Sequence, residues 1–124
     1  DKEINLFKSH NKDYKDGEQI RDFIFVKDVV DVIYWFIENP HINGLFNLGS
    51  SIPQSFNTLA NLVYRYCNKK KKISYIPTPL SIRKQYQYFT KANIKRLKSV
   101  GYTKSFTNLE DGIKNYITKY LNKN

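Results

Sequence analysis

Arg21 stands at the mouth of a short apolar run, Phe23-Ile24-Phe25-Val26, with an Arg-Asp pair before the run and a Lys-Asp pair after it. A planar guanidinium on a fixed base donates two parallel hydrogen bonds, which suits a phosphate or a carboxylate. On spacing alone, a ligand contact and a solvated bridge to Asp22 or Asp28 fit Arg21 equally well. His10 lies with Phe7, Lys8 and Ser9 at the head of a polar stretch, residues 8–18. Compact domains use loops of that length for function or leave them disordered. With no partner in view, an idle surface histidine is the simpler reading of His10.

Other spacings that could carry chemistry lead nowhere. Gly44 and Gly49 have the separation of a phosphate-binding loop, but Ser50 and Ser51 follow where lysine and then serine or threonine are needed. No G-x-G-x-x-G fingerprint occurs. Tyr66 and Lys70 have the Tyr-x-x-x-Lys spacing of short-chain dehydrogenases, yet Tyr66 falls on an apolar helical stripe and Lys70 in the run Lys69 to Lys72. One cysteine and two distant histidines make no tetrahedral metal set.

The elements that must position Arg21 follow from periodicity. Ile4 to Phe7 alternates as a short strand, and Phe23 to Val26 reads as a buried one. Asp28 is placed to cap a helix carrying Val29, Val30, Val32, Ile33, Phe36 and Ile37, which Asn39-Pro40 ends. Gly44 to Gly49 reads as the next strand, so strand, helix and strand imply a parallel sheet and an α/β class. Ser55 caps a second helix with its stripe from Phe56 to Cys67, and Ile73 to Ile76 is a strand stopped by prolines. Residues 80–89 have no clean period and read as a working loop. Thr90 opens a short helix with Ile94 and Leu97 inward and Gly101 at its end. Thr107 to Glu110 forms a capping box for the last amphipathic helix.

With 124 residues the expectation is a single domain, residues 1–124, able to bury a modest core. The net charge of +10 invites a nucleic-acid reading. Only four of the 21 basic residues are arginine, however, and the basic run sits at a helix end that favours cations, so nucleic acid is set aside as a partner. The longest uncharged run, residues 39–64, is broken by Pro40, Gly44, Gly49 and Pro53, and no membrane span is expected. The lone Cys67 and the lack of an opening signal peptide point to the cytoplasm.

Five stretches in order resemble the C-terminal part of the extended short-chain dehydrogenase/reductases, the nucleotide-sugar epimerases and dehydratases. They are Arg21-Asp-Phe-Ile-Phe-Val-Lys-Asp-Val29, Gly44-Leu-Phe-Asn-Leu-Gly49, Ser55-Phe56 at a helix start, Gly101-Tyr102, and Leu109-Glu-Asp-Gly-Ile113. Phe7-Lys-Ser-His10, Asp16-Gly-Glu-Gln19, Tyr75-Ile-Pro-Thr-Pro79 and Tyr86-Gln-Tyr-Phe-Thr90 resemble, within that family, the branch acting on ADP-linked heptose. The resemblance implies the last elements of a Rossmann-type sheet plus a small mixed α/β substrate-binding subdomain. The dinucleotide-binding region, with its glycine fingerprint and catalytic tyrosine and lysine, would lie upstream and be absent from this chain.

The resemblance further implies that Phe7, Lys8, Ser9 and His10 line an ADP-sugar site, that Arg21 grips the diphosphate end and that Tyr86 closes the site. No catalytic, cofactor-binding or metal-binding residue is assigned to the chain itself. The implied reaction inverts one heptose carbon by transient oxidation and re-reduction with NADP, in the synthesis of lipopolysaccharide core precursors. The implied partners are the upstream domain and further copies in a homo-oligomer. An inactive nucleotide-sugar-binding remnant, or an epimerase or dehydratase of another nucleotide sugar, are the alternatives.

Overall fold

A computed structural model describes residues 3–121. The chain is a small mixed α/β domain. Its parallel pair joins β1 (Ile4–Phe7) to β4 (Ile73–Ile76), in register from Ile4 opposite Ile73 to Phe7 opposite Ile76. An antiparallel pair joins β2 (Ile20–Arg21) to β3 (Gln54–Ser55), and Ile20 also bridges Phe89.

Helix α1 (Val26–Glu38) buries Val32 against Leu97 and Tyr102, with Trp35, Phe36, Phe46, Leu48 and Phe106 around them. Leu97, only 1% exposed, comes from the short helix α4 (Lys95–Ser99). Gly101 ends α4 at a φ of +111°, where its N–H reaches the Lys98 carbonyl and the Tyr102 N–H reaches that of Leu97. This doubly closed turn needs the left-handed conformation that glycine adopts without strain. Ser55 caps α2 (Phe56–Tyr66) as expected, its hydroxyl accepting from the Thr58 N–H at 3.1 Å. Tyr64, missed by the apolar stripe, is buried on α2; its hydroxyl donates to the Lys72 carbonyl and accepts from the Ile4 N–H, tying α2 to the β1–β4 pair.

Five expectations are corrected. Phe23 to Val26 is no strand: residues 22–25 are extended and half-buried, and α1 already begins at Val26 with Phe25 at its N-cap. Asp28 therefore lies in the first turn of α1 and caps nothing; its carboxylate accepts from the Thr107 N–H at 2.6 Å and hydroxyl at 2.9 Å. Gly44 to Gly49 is extended but unpaired, so no strand-helix-strand unit forms here. Both stretches lack a neighbour to hydrogen-bond with, and a strand exists only as part of a ladder.

The remaining two corrections concern caps. Thr90 leaves α4 uncapped and instead accepts from the Asp22 N–H at 3.2 Å. With the Thr107 hydroxyl committed to Asp28, Asn108 becomes the cap of α5 (Leu109–Tyr116), its side chain accepting from the Asp111 N–H at 2.8 Å. A wider π-type turn continues α5 from Ile117 to Leu121. The stretch expected to be a loop, residues 80–89, opens with one helical turn, α3 (Leu80–Arg83).

Candidate functional site

β1, β2 and the first turn of α2 converge on a cleft of about 380 Å³ lined by Asn5, Leu6, Phe7, Gln19, Arg21, Phe56 and Tyr86. Arg21 donates from Nη1 to the Ile20 carbonyl at 2.9 Å. Its guanidinium lies 5.2 Å from the centre of the Tyr86 ring and 5.8 Å from that of Phe56. Two aromatic faces hold the cation without using up its fork. The bridge to Asp22 or Asp28 weighed above is not made: among the described residues Arg21 joins no ion pair.

Asp22 is occupied elsewhere. Its carboxylate accepts from the Ser50 N–H at 2.7 Å, the Ser50 hydroxyl at 2.5 Å, the Ser51 N–H at 3.0 Å and the Ala92 N–H at 2.8 Å. Burial pushes this carboxyl up, but the bonds from Ser50, Ala92 and Ser51 outweigh it and leave the group below its ordinary value. The glycine is required at position 49, since a Cβ there would stand 2.4 Å from the Ala92 Cβ and 2.6 Å from Asp22 Oδ2. The glycine-spaced turn that mimics a phosphate loop is thus filled by the chain's own anion. Among the described residues, those around this turn do not build a dinucleotide cradle.

The segment bearing Tyr86 is fastened beside β2. Ile20 N–H donates to the Tyr88 carbonyl at 2.8 Å, Thr90 N–H to the Ile20 carbonyl at 3.2 Å, and Ser51 Oγ to the Ala92 carbonyl at 2.7 Å. Tyr86 meets Phe7 edge-on at 5.9 Å and Tyr88 at 5.4 Å. Burial raises the Tyr86 hydroxyl above its ordinary value, against the opposing pull of Arg21, so near neutrality it stays a donor.

Of the six residues expected at a site, Phe7, Arg21 and Tyr86 share this cleft, and Lys8, Ser9 and His10 lie outside its lining. Lys8 N–H donates to the Ile76 carbonyl at 2.8 Å, and the Lys8 carbonyl accepts from Thr78 Oγ1 at 3.0 Å. Ser9 turns its hydroxyl onto the Asn11 carbonyl at 2.8 Å. His10 is exposed yet engaged: its N–H donates to the Tyr88 hydroxyl at 2.9 Å and its Nε2 accepts from the Thr78 N–H at 3.3 Å. Of the three, His10 reaches the segment that bears Tyr86, through the Tyr88 hydroxyl.

Asn5, Gln19 and Phe56 were not anticipated as site residues. Gln19 is 1% exposed and donates from Nε2 to the Phe7 carbonyl at 3.1 Å, locking β1 to β2 at the floor of the cleft. Its place two residues before Arg21, on the same side of an extended chain, is a signal the sequence carries. Tyr66, by contrast, donates to Glu110 Oε1 at 2.6 Å, and this bond raises its hydroxyl above the ordinary value. That is opposite to what a proton-transferring tyrosine needs, so the Tyr66–Lys70 spacing is structural.

The family model for the NAD dependent epimerase/dehydratase family matches residues 2–49. The ADP-L-glycero-D-manno-heptose-6-epimerase of Nitratidesulfovibrio vulgaris strain DP4 is 42% identical over 118 residues, covering 95% of this chain and 36% of the relative. The enzyme of that name from Fusobacterium nucleatum is 40% identical over 126 residues, covering 97% and 38%. The crystal structure of the Helicobacter pylori ADP-L-glycero-D-manno-heptose-6-epimerase aligns with a TM-score of 0.69 at 27% identity, over 94% of this chain and 32% of that one. A UDP-N-acetylglucosamine 4-epimerase from Methanobrevibacter ruminantium shares the fold, with a TM-score of 0.76 at 17% identity over 96% and 34%. The chain spans little more than a third of the length of the curated relatives it matches. Close sequence kinship and a common fold over nearly the whole of its own length agree that this chain belongs to the NAD dependent epimerase/dehydratase family.

Proposed function

We propose that the chain is the substrate-binding portion of an epimerase acting on an ADP-linked heptose. The observation that carries the reading is the cleft in which Arg21 lies between Tyr86 and Phe56 with its fork uncommitted to any carboxylate. Arg21 would take a diphosphate oxygen pair, the Tyr86 hydroxyl would donate to the same group, and Phe7 would pack the ligand's apolar edge. Lys8, Ser9 and His10 belong to the same site as its rim. The heptose assignment is supported by the names of the relatives at 40–42% identity, both of them heptose epimerases.

The residues that carry out the reaction lie outside this chain in this reading. NADP, held mainly by an upstream dinucleotide-binding region, would supply oxidation and re-reduction; the present residues bind and orient the substrate. The setting is the cytoplasm, the product a precursor of lipopolysaccharide core, and the assembly a homo-oligomer. Among the described residues no helix is long and apolar enough to cross a membrane.

Titrating ADP into the isotope-labelled chain tests the site. Saturable shifts at the Arg21 side chain, Phe7 and Tyr86 are expected. Shifts confined to Lys69 to Lys72, the signature of a charge-driven contact, would overturn the assignment.

A further inference from the structure

Among the described residues the Tyr86 hydroxyl makes no hydrogen bond, so its aim is set by what the Tyr86 ring packs against. Two of those neighbours, Phe7 and Arg21, line the cleft themselves. The third, Tyr88, meets the Tyr86 ring at 5.4 Å and an interplanar angle of 79° but does not line the cleft. Tyr88 is itself held from three directions. Its carbonyl accepts from the Ile20 N–H at 2.8 Å, its hydroxyl accepts from the His10 N–H at 2.9 Å, and the Tyr14 ring packs on it at 5.4 Å. His10 and Tyr14 both belong to the polar stretch 8–18, which is a closed loop. There the Asn11 carbonyl accepts from Ser9 Oγ at 2.8 Å and from the Tyr14 N–H at 3.1 Å, and Asp16 Oδ1 accepts from the Ser9 N–H at 2.7 Å.

The backbone bonds between Ile20 and the segment at Tyr88 and Thr90 fasten that segment to β2 whatever side chain stands at position 88. The phenol of Tyr88 adds something else: a rigid ring set between Tyr14 and Tyr86, with its hydroxyl anchored at the loop. We infer that Tyr88 is a positioning residue for the ligand of the Arg21 cleft, fixing the Tyr86 ring so that its hydroxyl is aimed at the group that Arg21 holds. An unsupported ring must be ordered when the ligand binds, which costs affinity, whereas a ring already held has lost that freedom beforehand. The inference rests on the reading of the cleft as an ADP site and deepens it. The loop bearing His10 and Tyr14 acts on the ligand through Tyr88 and Tyr86, from outside the cleft lining.

The test is a double-mutant cycle on ADP affinity, read by NMR titration of the 124-residue chain so that weak, millimolar binding is still measured. Tyr88→Ala should weaken ADP binding about three- to tenfold, the worth of an aromatic pair. Tyr88→Phe keeps the ring, drops only the acceptor for the His10 N–H, and should lose about twofold. In a Tyr86→Ala background, Tyr88→Ala should cost less than about 1.5-fold, because a residue that acts through Tyr86 has nothing left to position. Equal losses in both backgrounds, or no loss in either, would overturn the inference. Tyr14→Ala, one ring further out, serves in place of Tyr88→Ala if thermal melting shows the latter to be unfolded. It should lose about twofold with Tyr86 present and nothing without it. In the ADP-free chain, nuclear Overhauser contacts between the Tyr86 and Phe7 rings should fade in Tyr88→Ala and persist in Tyr88→Phe; contacts unchanged in both would also overturn the inference. Failure of the unaltered chain to bind ADP would sink the epimerase reading instead, while these ring contacts still decide whether Tyr88 holds Tyr86.

Discussion

The cleft around Arg21 and the face around Leu45 differ in where their polar groups go. In the cleft, Asp22 takes bonds from Ser50, Ser51 and Ala92, the Tyr86 segment is tied to Ile20, and Gln19 joins β2 to β1. On the other side, two extended stretches carry apolar side chains and unpaired amides. The difference teaches that the Arg21 cleft is held together by hydrogen bonds made within this chain. The face around Leu45 and along α1 has the composition of an interior and the exposure of a surface.

The largest effect should come from cutting the clasp on the cleft side. Asp22→Ala leaves the Ser50, Ser51 and Ala92 donors without their acceptor and should lower unfolding free energy by about 2 to 3 kcal/mol in a urea titration. A loss under about 0.5 kcal/mol would mean that water replaces the carboxylate at no cost and that the cleft is not held together there. Because the folded Asp22 carboxyl lies below its unfolded value, its contribution is full above the unfolded value. It is lost as pH falls from about 4 through the folded value. Asp22→Asn should flatten that acid limb of stability, and an unchanged limb would assign it to other carboxylates.

Ser55→Ala, which removes the α2 cap beside β3, should cost about 1 kcal/mol by thermal melting. The smallest effect belongs to the face along α1: Ile33→Ala, at a position exposed in the isolated chain, should change stability by no more than about 0.5 kcal/mol. A cost of about 2 kcal/mol or more would show that the α1 face is already covered in solution, and the comparison would fail.

What the sequence disclosed follows the same division. The Ser55 cap, the inward Leu97 and the Gly101 stop were legible because each depends on neighbours within a turn of chain. Arg21, Phe7 and Tyr86 were legible as a set only through the order of motifs, since 65 positions separate Arg21 from Tyr86 along the chain. Phe56 was passed over because its place in the cleft comes from the crossing of β2 and α2, which no local pattern states, whereas Gln19 was passed over although its spacing from Arg21 marks it. Phe23 to Val26 and Gly44 to Gly49 have strand composition, and they are unpaired because pairing is a property of two segments. Asp28 and Thr107 were each read as a cap, yet they bond one another across the fold, which moved the cap of α5 to Asn108.

The measurement that bears most directly on the central claim is the affinity of ADP for the chain with Arg21, with Arg21→Lys and with Arg21→Ala. A guanidinium that grips a diphosphate through two parallel bonds should lose about 1.5 to 3 kcal/mol on truncation to alanine, some ten- to hundredfold in Kd. Lysine should restore part of this, because it keeps the charge but not the fork. Equal affinity in all three proteins would contradict the account, leaving Arg21 as packing between two rings.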